Sequence, residues 1–226
     1  MVLNGLKRAA ALLACLLAFG GAQADTVKIN GFLGGRHASV DLNTPRDGNF
    51  SAGEFTGLWN GNSFSAMCVD VMNDLSLGTT YTNYTAVTPV TYGFTSTQVG
   101  LFNKLYTNYY AASHTSYANA AAFQFAVWEI TYDGNSALNL GTNTFTLGSG
   151  SNAAAMATAT SWLSTLASQP TGTWSFTVLD SVSVAGGQSA TQDLLVAIPV
   201  PEPETYALLL AGLGMIGLIA RRRGRA

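Results

Sequence analysis

A thiol, a carboxamide and a handful of carboxylates and imidazoles are the groups able to do chemistry in this 226-residue chain. Its two cysteines are Cys15 and Cys68. Cys15 lies in an N-terminal stretch that reads as a removable signal peptide, which leaves Cys68 as the lone thiol of the mature protein. Exported proteins normally pair their cysteines, so a single one is a free thiol, half of an intermolecular bridge or something else. A thiolate is a strong nucleophile even at a modest ionised fraction. The plainer role is that of a small buried hydrophobe, which free cysteine plays most often. Cys68 sits in Phe64-Ser65-Ala66-Met67-Cys68-Val69-Asp70, and 56 residues later comes Phe123-Gln124-Phe125-Ala126-Val127-Trp128-Glu129-Ile130.

Other chemical groupings are thinner. His37 and His114 stand far apart with no second mature cysteine, which argues against a zinc site. A Cys68–His114 hydrolase dyad has no flanking pattern behind it, and nothing in the order of residues brings His114 or Glu129 to Cys68 as an acid or base. The stretch Asn43–Glu54 has Gly48 sixth and Glu54 twelfth, as in a calcium loop of the EF-hand kind. Pro45 occupies a ligand position there and Asn43 replaces the first Asp, so a turn-rich loop is the better reading. No catalytic set, metal or cofactor is expected.

The elements that must position these residues change period along the chain. Thr26–Trp59 is broken by glycines and by Pro45, with short alternating pieces between the breaks, which predicts short strands and turns. Asn60-Gly61 is a two-residue hairpin signal, with Ser63–Val71 as the returning strand. From Thr97, apolar residues at Val99, Phe102, Leu105 and Tyr109 predict a helix capped by Ser96 or Thr97. Further helices are expected over Asn119–Ile130 and Asn152–Ala167, and strands over Thr173–Val184 and Leu194–Ile198. The order predicts an α+β body, a β-strand framework of barrel or sandwich type with an inserted group of about three helices. About 175 residues suffice for one core, so residues 25–199 are read as one extracellular domain.

A Cys-Val-Asp strand followed by Gln-x-Ala-Val-Trp resembles the internal-thioester domains of bacterial surface adhesins. The resemblance spans roughly residues 50–135 and rests on Cys68, Asp70, Gln124, Ala126 and Trp128. It implies a bond between the Cys68 sulfur and the Gln124 side-chain carbonyl, with loss of ammonia, and adhesion to an amine or hydroxyl on a target surface. Asp70, Ala126 and Trp128 would support that motif, and Phe123, Phe125 and Trp128 would shield the pair from water. Two departures stand out: Phe123 precedes the glutamine where the family usually has Thr, and the Cys-to-Gln separation is compact for the family. The structural alternative makes Gln124 a polar position on an amphipathic helix and Trp128 a core anchor.

The charges sort to the ends. Charged residues are only 10% of the chain, against roughly 25% in an ordinary soluble domain. Hydrophobic residues reach 48%, which excludes a disordered tail, and ten Lys and Arg against twelve acids exclude a basic nucleic-acid binder. Lys28, Arg36, Arg46 and Lys104 are the only bases between residues 25 and 204, where all twelve acids lie, so that region is strongly acidic. Residues 1–24 have a basic start (Lys7, Arg8), an apolar run from Ala9 to Phe19 and Ala22-Gln23-Ala24 before Asp25. These are the parts of a cleavable signal peptide, with signal peptidase as the implied partner.

At the other end, residues 200–226 hold three parts. Val200-Pro201-Glu202-Pro203-Glu204 is followed by an apolar helix over 205–220 and a basic tail over 221–226. Sixteen residues at ~1.5 Å each give roughly 24 Å, a short span that Arg221, Arg222 and Arg223 would stop on the cytoplasmic side. This order resembles the PEP-CTERM sorting signal, also labelled an ice-binding-protein C-terminal domain, a label that describes the tail and says nothing of ice. The resemblance implies an exosortase-type enzyme as partner, a transient stay in the inner membrane and delivery to the cell surface or extracellular matrix. The expected protein is therefore a non-enzymatic surface or biofilm-matrix component, adhering through Cys68 and Gln124. The alternatives are an inert polysaccharide-matrix component with a free buried Cys68 and, behind it, a secreted cysteine hydrolase.

Overall fold

The helix expected over Asn119–Ile130 is buried on every side through its middle. In the computed structural model, which describes residues 24–200, 211–213 and 215–216, this helix runs Tyr117–Asp133, and residues 120–130 are all buried. A helix buried all round belongs at the centre of a fold, and it is held there by elements on several sides.

On one side is a barrel. Strands β1 (Asp25–Phe32), β4 (Phe55–Trp59), β5 (Asn62–Cys68), β6 (Thr80–Val87), β8 (Trp174–Ser181) and β9 (Leu194–Pro199) close in the order β1-β4-β5-β9-β8-β6. Closure removes the open edges that would otherwise invite pairing with other chains. Strands β2 (Ala38–Thr44), β3 (Gly48–Ala52) and β7 (Thr146–Leu147) form a second sheet in the order β3-β2-β7. Between β6 and β8 lie the helices: α1 (Pro89–Tyr92), α2 (Ser96–Ser113), the central α3 (Tyr117–Asp133) and α4 (Ala153–Leu166). The expected α+β framework with an inserted helical group is present, and the framework is a barrel.

Local chemistry accounts for the element ends. Asn60 and Gly61 both have positive φ, 50° and 81°, the backbone that a two-residue hairpin turn needs. They pair Trp59 with Asn62 and so set the register of β4 on β5. The returning strand stops at Cys68 rather than Val71. Its last two residues pair with Leu195 and Leu194 of β9, after which the chain turns away. Helix α2 is capped by Thr95, just before the two expected candidates, Ser96 and Thr97. Thr95 Oγ1 accepts from Gln98 N, and Gln98 Oε1 accepts from Thr95 N, satisfying two backbone donors at once. The Gln98 side chain also donates to the carbonyls of Ile130 and Thr131 (3.1 and 2.8 Å), which ties the start of α2 to the end of α3.

The expected signal peptide, membrane helix and basic tail fall almost entirely outside the described residues. Among the described residues no helix is long and apolar enough to cross a membrane.

Candidate functional site

Cys68 ends β5 where the strand meets α3, and Gln124 reaches it from the middle of that helix. Both are buried, at 1% exposure each. Gln124 Oε1 accepts from the main-chain N–H of Cys68 (3.0 Å), and Gln124 Nε2 donates to the carbonyl of the same residue (2.8 Å). The carboxamide thus replaces a neighbouring strand for the last residue of β5. The amphipathic-surface alternative for Gln124 does not hold, because α3 has no solvent face at this level.

The thiol itself donates to the carbonyl of Asp70 at 3.0 Å. Burial pushes it up to about 12; contacts with the Trp128 side chain and the Asp70 main chain pull the other way, and the Asp70 and Asp193 carboxylates add to the rise. The indole Nε1–H of Trp128, in the same cavity wall as Cys68, is buried without a hydrogen-bond partner. Cys68, Gln124 and Trp128 line one small cavity together with Phe50, Phe55 and Val71, with free volume of about 10 Å³, on the order of one water molecule.

Asp70 acts through the backbone that follows. Its Oδ1 accepts from Met72 N and its Oδ2 from Asn73 Nδ2, both at 2.7 Å, which folds the chain back immediately after Cys68. Tyr132, one turn beyond Trp128 on α3, accepts from Val71 N (3.1 Å). Ala126 is fully buried in α3 but does not line the cavity. Nor do Phe123 and Phe125 shield the pair. Phe123 packs edge-on to Tyr106, Tyr110 and Trp162, and Phe125 stacks on Trp128. The aromatic wall comes instead from Phe50 and Phe55, on strands far from α3 in sequence.

Above the cavity the turn between β2 and β3 is latched to the segment after Cys68. Arg46 makes a forked pair with Asp74 (3.0 and 2.9 Å), donates to the carbonyls of Val71 and Met72, and covers the Phe50 ring at 4.9 Å. Sequence reasoning missed Arg46, Phe50, Phe55, Val71 and Tyr132. None carries a local motif; the cation beside Phe50 at i, i+4 on a hairpin was the one available hint.

The remaining candidates go elsewhere. His114 Nε2 meets Glu54 Oε2 at 2.7 Å, and Glu54 Oε1 accepts from Tyr110 and Ser65 (2.7 and 2.5 Å). His114 is therefore committed to Glu54, and the Cys68–His114 dyad is not formed. The same contacts take Glu54, the twelfth position of the supposed calcium loop, into an internal cluster, while the rest of that stretch is β2, a turn and β3. Glu129 accepts from Asn139 N (2.6 Å) and holds the loop after α3 rather than facing Cys68. Burial pushes its carboxyl up to about 7, against the pull of that N–H. Among the described residues no group of three or more His, Cys, Asp or Glu could hold a metal ion.

On the far side of the 69–73 segment is a more open cleft of about 380 Å³, lined by Asp70, Tyr92, Tyr132 and Asp193 among others. Tyr92 donates to Asp193 Oδ2 (2.7 Å). Burial raises Asp193 to about 6, with the Ser181 N–H and the Tyr92 hydroxyl opposing.

Residues 199–223 match a family described as the PEP-CTERM protein-sorting motif. Val200, Pro201, Glu202, Pro203, Arg221, Arg222 and Arg223 all fall within the match. It supports a substrate of an exosortase-type enzyme, exported, anchored by its C-terminus before processing and sorted to the cell surface. No curated protein and no solved structure matches the chain.

Proposed function

We propose that this exported protein is a non-enzymatic surface or extracellular-matrix component whose barrel body adheres covalently through a Cys68–Gln124 thioester. The observation that carries the reading is the clamping of the Gln124 carboxamide against Cys68 inside an aromatic-walled cavity with almost no room for water. An amide is a poor electrophile and a thioester a hydrolysable one, so both formation and survival of the bond need contact and dryness. In the forming step the Cys68 sulfur bonds to Gln124 Cδ, the Cδ–Nε2 bond breaks, and the thiol proton leaves with the nitrogen as ammonia. In adhesion an amine or hydroxyl of the target attacks Cδ, the S–C bond breaks, and the proton of the nucleophile returns to sulfur. A surface amine or an exopolysaccharide hydroxyl fits as acceptor.

A second reading has its own support. The carboxamide is fully paired with the Cys68 main chain, and the thiol donates to a carbonyl and is raised to about 12. Those are also the properties of a packed structural pair in an inert matrix component. Intact mass of the freshly secreted protein separates the two. The thioester requires a deficit of one ammonia that disappears in Cys68→Ala and in Gln124→Ala; full mass in the wild type overturns it. Cys68-dependent turnover of a peptide or glycan would argue instead for a hydrolase.

Sorting has a separate test. Replacing Pro201-Glu202-Pro203 with alanines is expected to leave the protein in the inner membrane, and undiminished release would contradict exosortase processing.

A further inference from the structure

Tryptophan usually finds an acceptor for its indole N–H when buried, because an unpaired donor costs free energy. Trp128 is 3% exposed, and its Nε1 has no partner of good geometry. Phenylalanine would bring similar ring surface to this cavity without burying a donor. Trp128 lines the same cavity as the two groups of the proposed cross-link, and its side chain favours the Cys68 thiolate. Trp59 also has an unpartnered Nε1, but it packs against Phe64 in the β4–β5 hairpin, with no reactive pair in contact.

Charge develops at two atoms when Cys68 attacks Gln124. The carboxamide oxygen becomes negative in the tetrahedral intermediate, and it already accepts from the Cys68 main-chain N–H at 3.0 Å. The sulfur becomes negative as it gives up its proton, and again when it departs during acyl transfer. Its partner at rest, the Asp70 carbonyl, is an acceptor and offers a thiolate nothing. Asp70 and Asp193 add unfavourable negative charge nearby. Among the described residues lining the cavity, Trp128 is the side chain whose donor favours the thiolate.

We propose that Trp128 is a catalytic residue of the cross-link, its Nε1–H donating to the Cys68 sulfur as thiolate, while the Cys68 N–H holds the oxyanion. The division rests on the thioester reading above. No new leaving group is introduced: the indole keeps its proton throughout, and the thiol proton leaves with the amide nitrogen. Because a better-stabilised thiolate is a better leaving group, the same donor accelerates transfer to the acceptor. A hydrogen bond to a charged group carries a ten- to hundredfold effect on rate, to order of magnitude.

The test compares secreted wild-type protein with Trp128→Phe, which keeps an aromatic ring and removes the donor. Methylamine adduct formation is followed by intact mass, with thermal unfolding as the check on folding. The expected result is an adduct rate about ten- to hundredfold lower at an intact unfolding transition. An equal rate overturns the proposal. Wild-type protein of full mass fails the thioester reading first and the catalytic role with it. A separate measurement covers a variant that does not fold: the indole N–H resonance of Trp128 in ¹⁵N-Trp-labelled wild type and Cys68→Ser. A shift when the sulfur becomes oxygen is expected from a donor aimed at that atom, and an unmoved resonance overturns the assignment.

Discussion

Replacing Gln124 by methionine, nearly its shape but without its amide, tests the clamp on Cys68 most directly. The change leaves the main-chain N–H and C=O of Cys68 without the partners they now have at 3.0 and 2.8 Å. Both groups are buried at the end of β5, beside a cavity with room for about one water. An orphaned buried backbone group costs ~1–3 kcal/mol, so the pair is worth roughly 2–6 kcal/mol. At about 2–4 °C per kcal/mol for a chain of this size, Tm should fall on the order of 10 °C. A wild-type cross-link would confuse the result, because closing a loop of 56-residue separation contributes ~4 kcal/mol by chain entropy alone. The substitution is therefore measured in a Cys68→Ala background, where no cross-link forms and the main-chain contacts remain. Urea unfolding with an unchanged slope is the assay. A loss below about 1 kcal/mol would refute the clamp and remove the positioning on which the thioester rests. The step from wild type to Cys68→Ala then reads the cross-link itself.

Two further outcomes follow from the surroundings. Arg46→Ala releases the turn latched over the cavity. Its pair with Asp74 is exposed, so stability should drop by less than ~1 kcal/mol, while native-state modification at Cys68 (a methylamine adduct on a cross-linked pair, an iodoacetamide adduct on a free thiol) speeds up, as intact mass would show; an unchanged rate would mean the latch does not control access. Glu129 and Asp193 are raised by burial to about 7 and about 6, so the folded state holds protons that the unfolded chain releases at lower pH. Stability should therefore decline as pH rises from about 4.5 to 7, and Glu129→Gln should flatten that decline in urea titrations across the window.

Much of the fold was legible because short-range patterns specify it. The Asn60-Gly61 turn, the Ser and Thr residues before α2 and α3, and the Asn before α4 each act on neighbouring backbone groups. The expected cap, Ser96 or Thr97, falls one or two residues late, since both offer the same hydroxyl as Thr95. Only Thr95 also has Gln98 at the third following position to complete the box. The alternative that makes Gln124 a polar position on an amphipathic helix fails, because Gln124 and Glu129 both lie inside the fold. Both are buried and satisfied in part by backbone groups from β5 and the loop at Asn139. The shielding residues were misassigned for a related reason. Nearness in sequence pointed to Phe123 and Phe125, but Phe123 packs against α2 and α4, and Phe125 stacks on Trp128 without lining the cavity.

The sequence by itself determined the C-terminal sorting motif, which residues 199–223 match. A sorting signal is read as a linear order of Pro-Glu-Pro, apolar stretch and Arg cluster, so no fold is needed to see it. Cys68 and Gln124 stand out as a pair only through the resemblance of their flanking residues to the thioester motif. What only the tertiary structure decided is that the two meet, that Trp128 lines the same cavity, and that Arg46 covers the Phe50 ring at its wall. Those contacts join residues far apart in the chain, 56 positions for Cys68 and Gln124, where periodicity reports which face a side chain occupies but not what packs against it. Closure of the barrel, with β5 pairing to β9, and the burial of α3 between two sheets and its neighbouring helices supply that missing information.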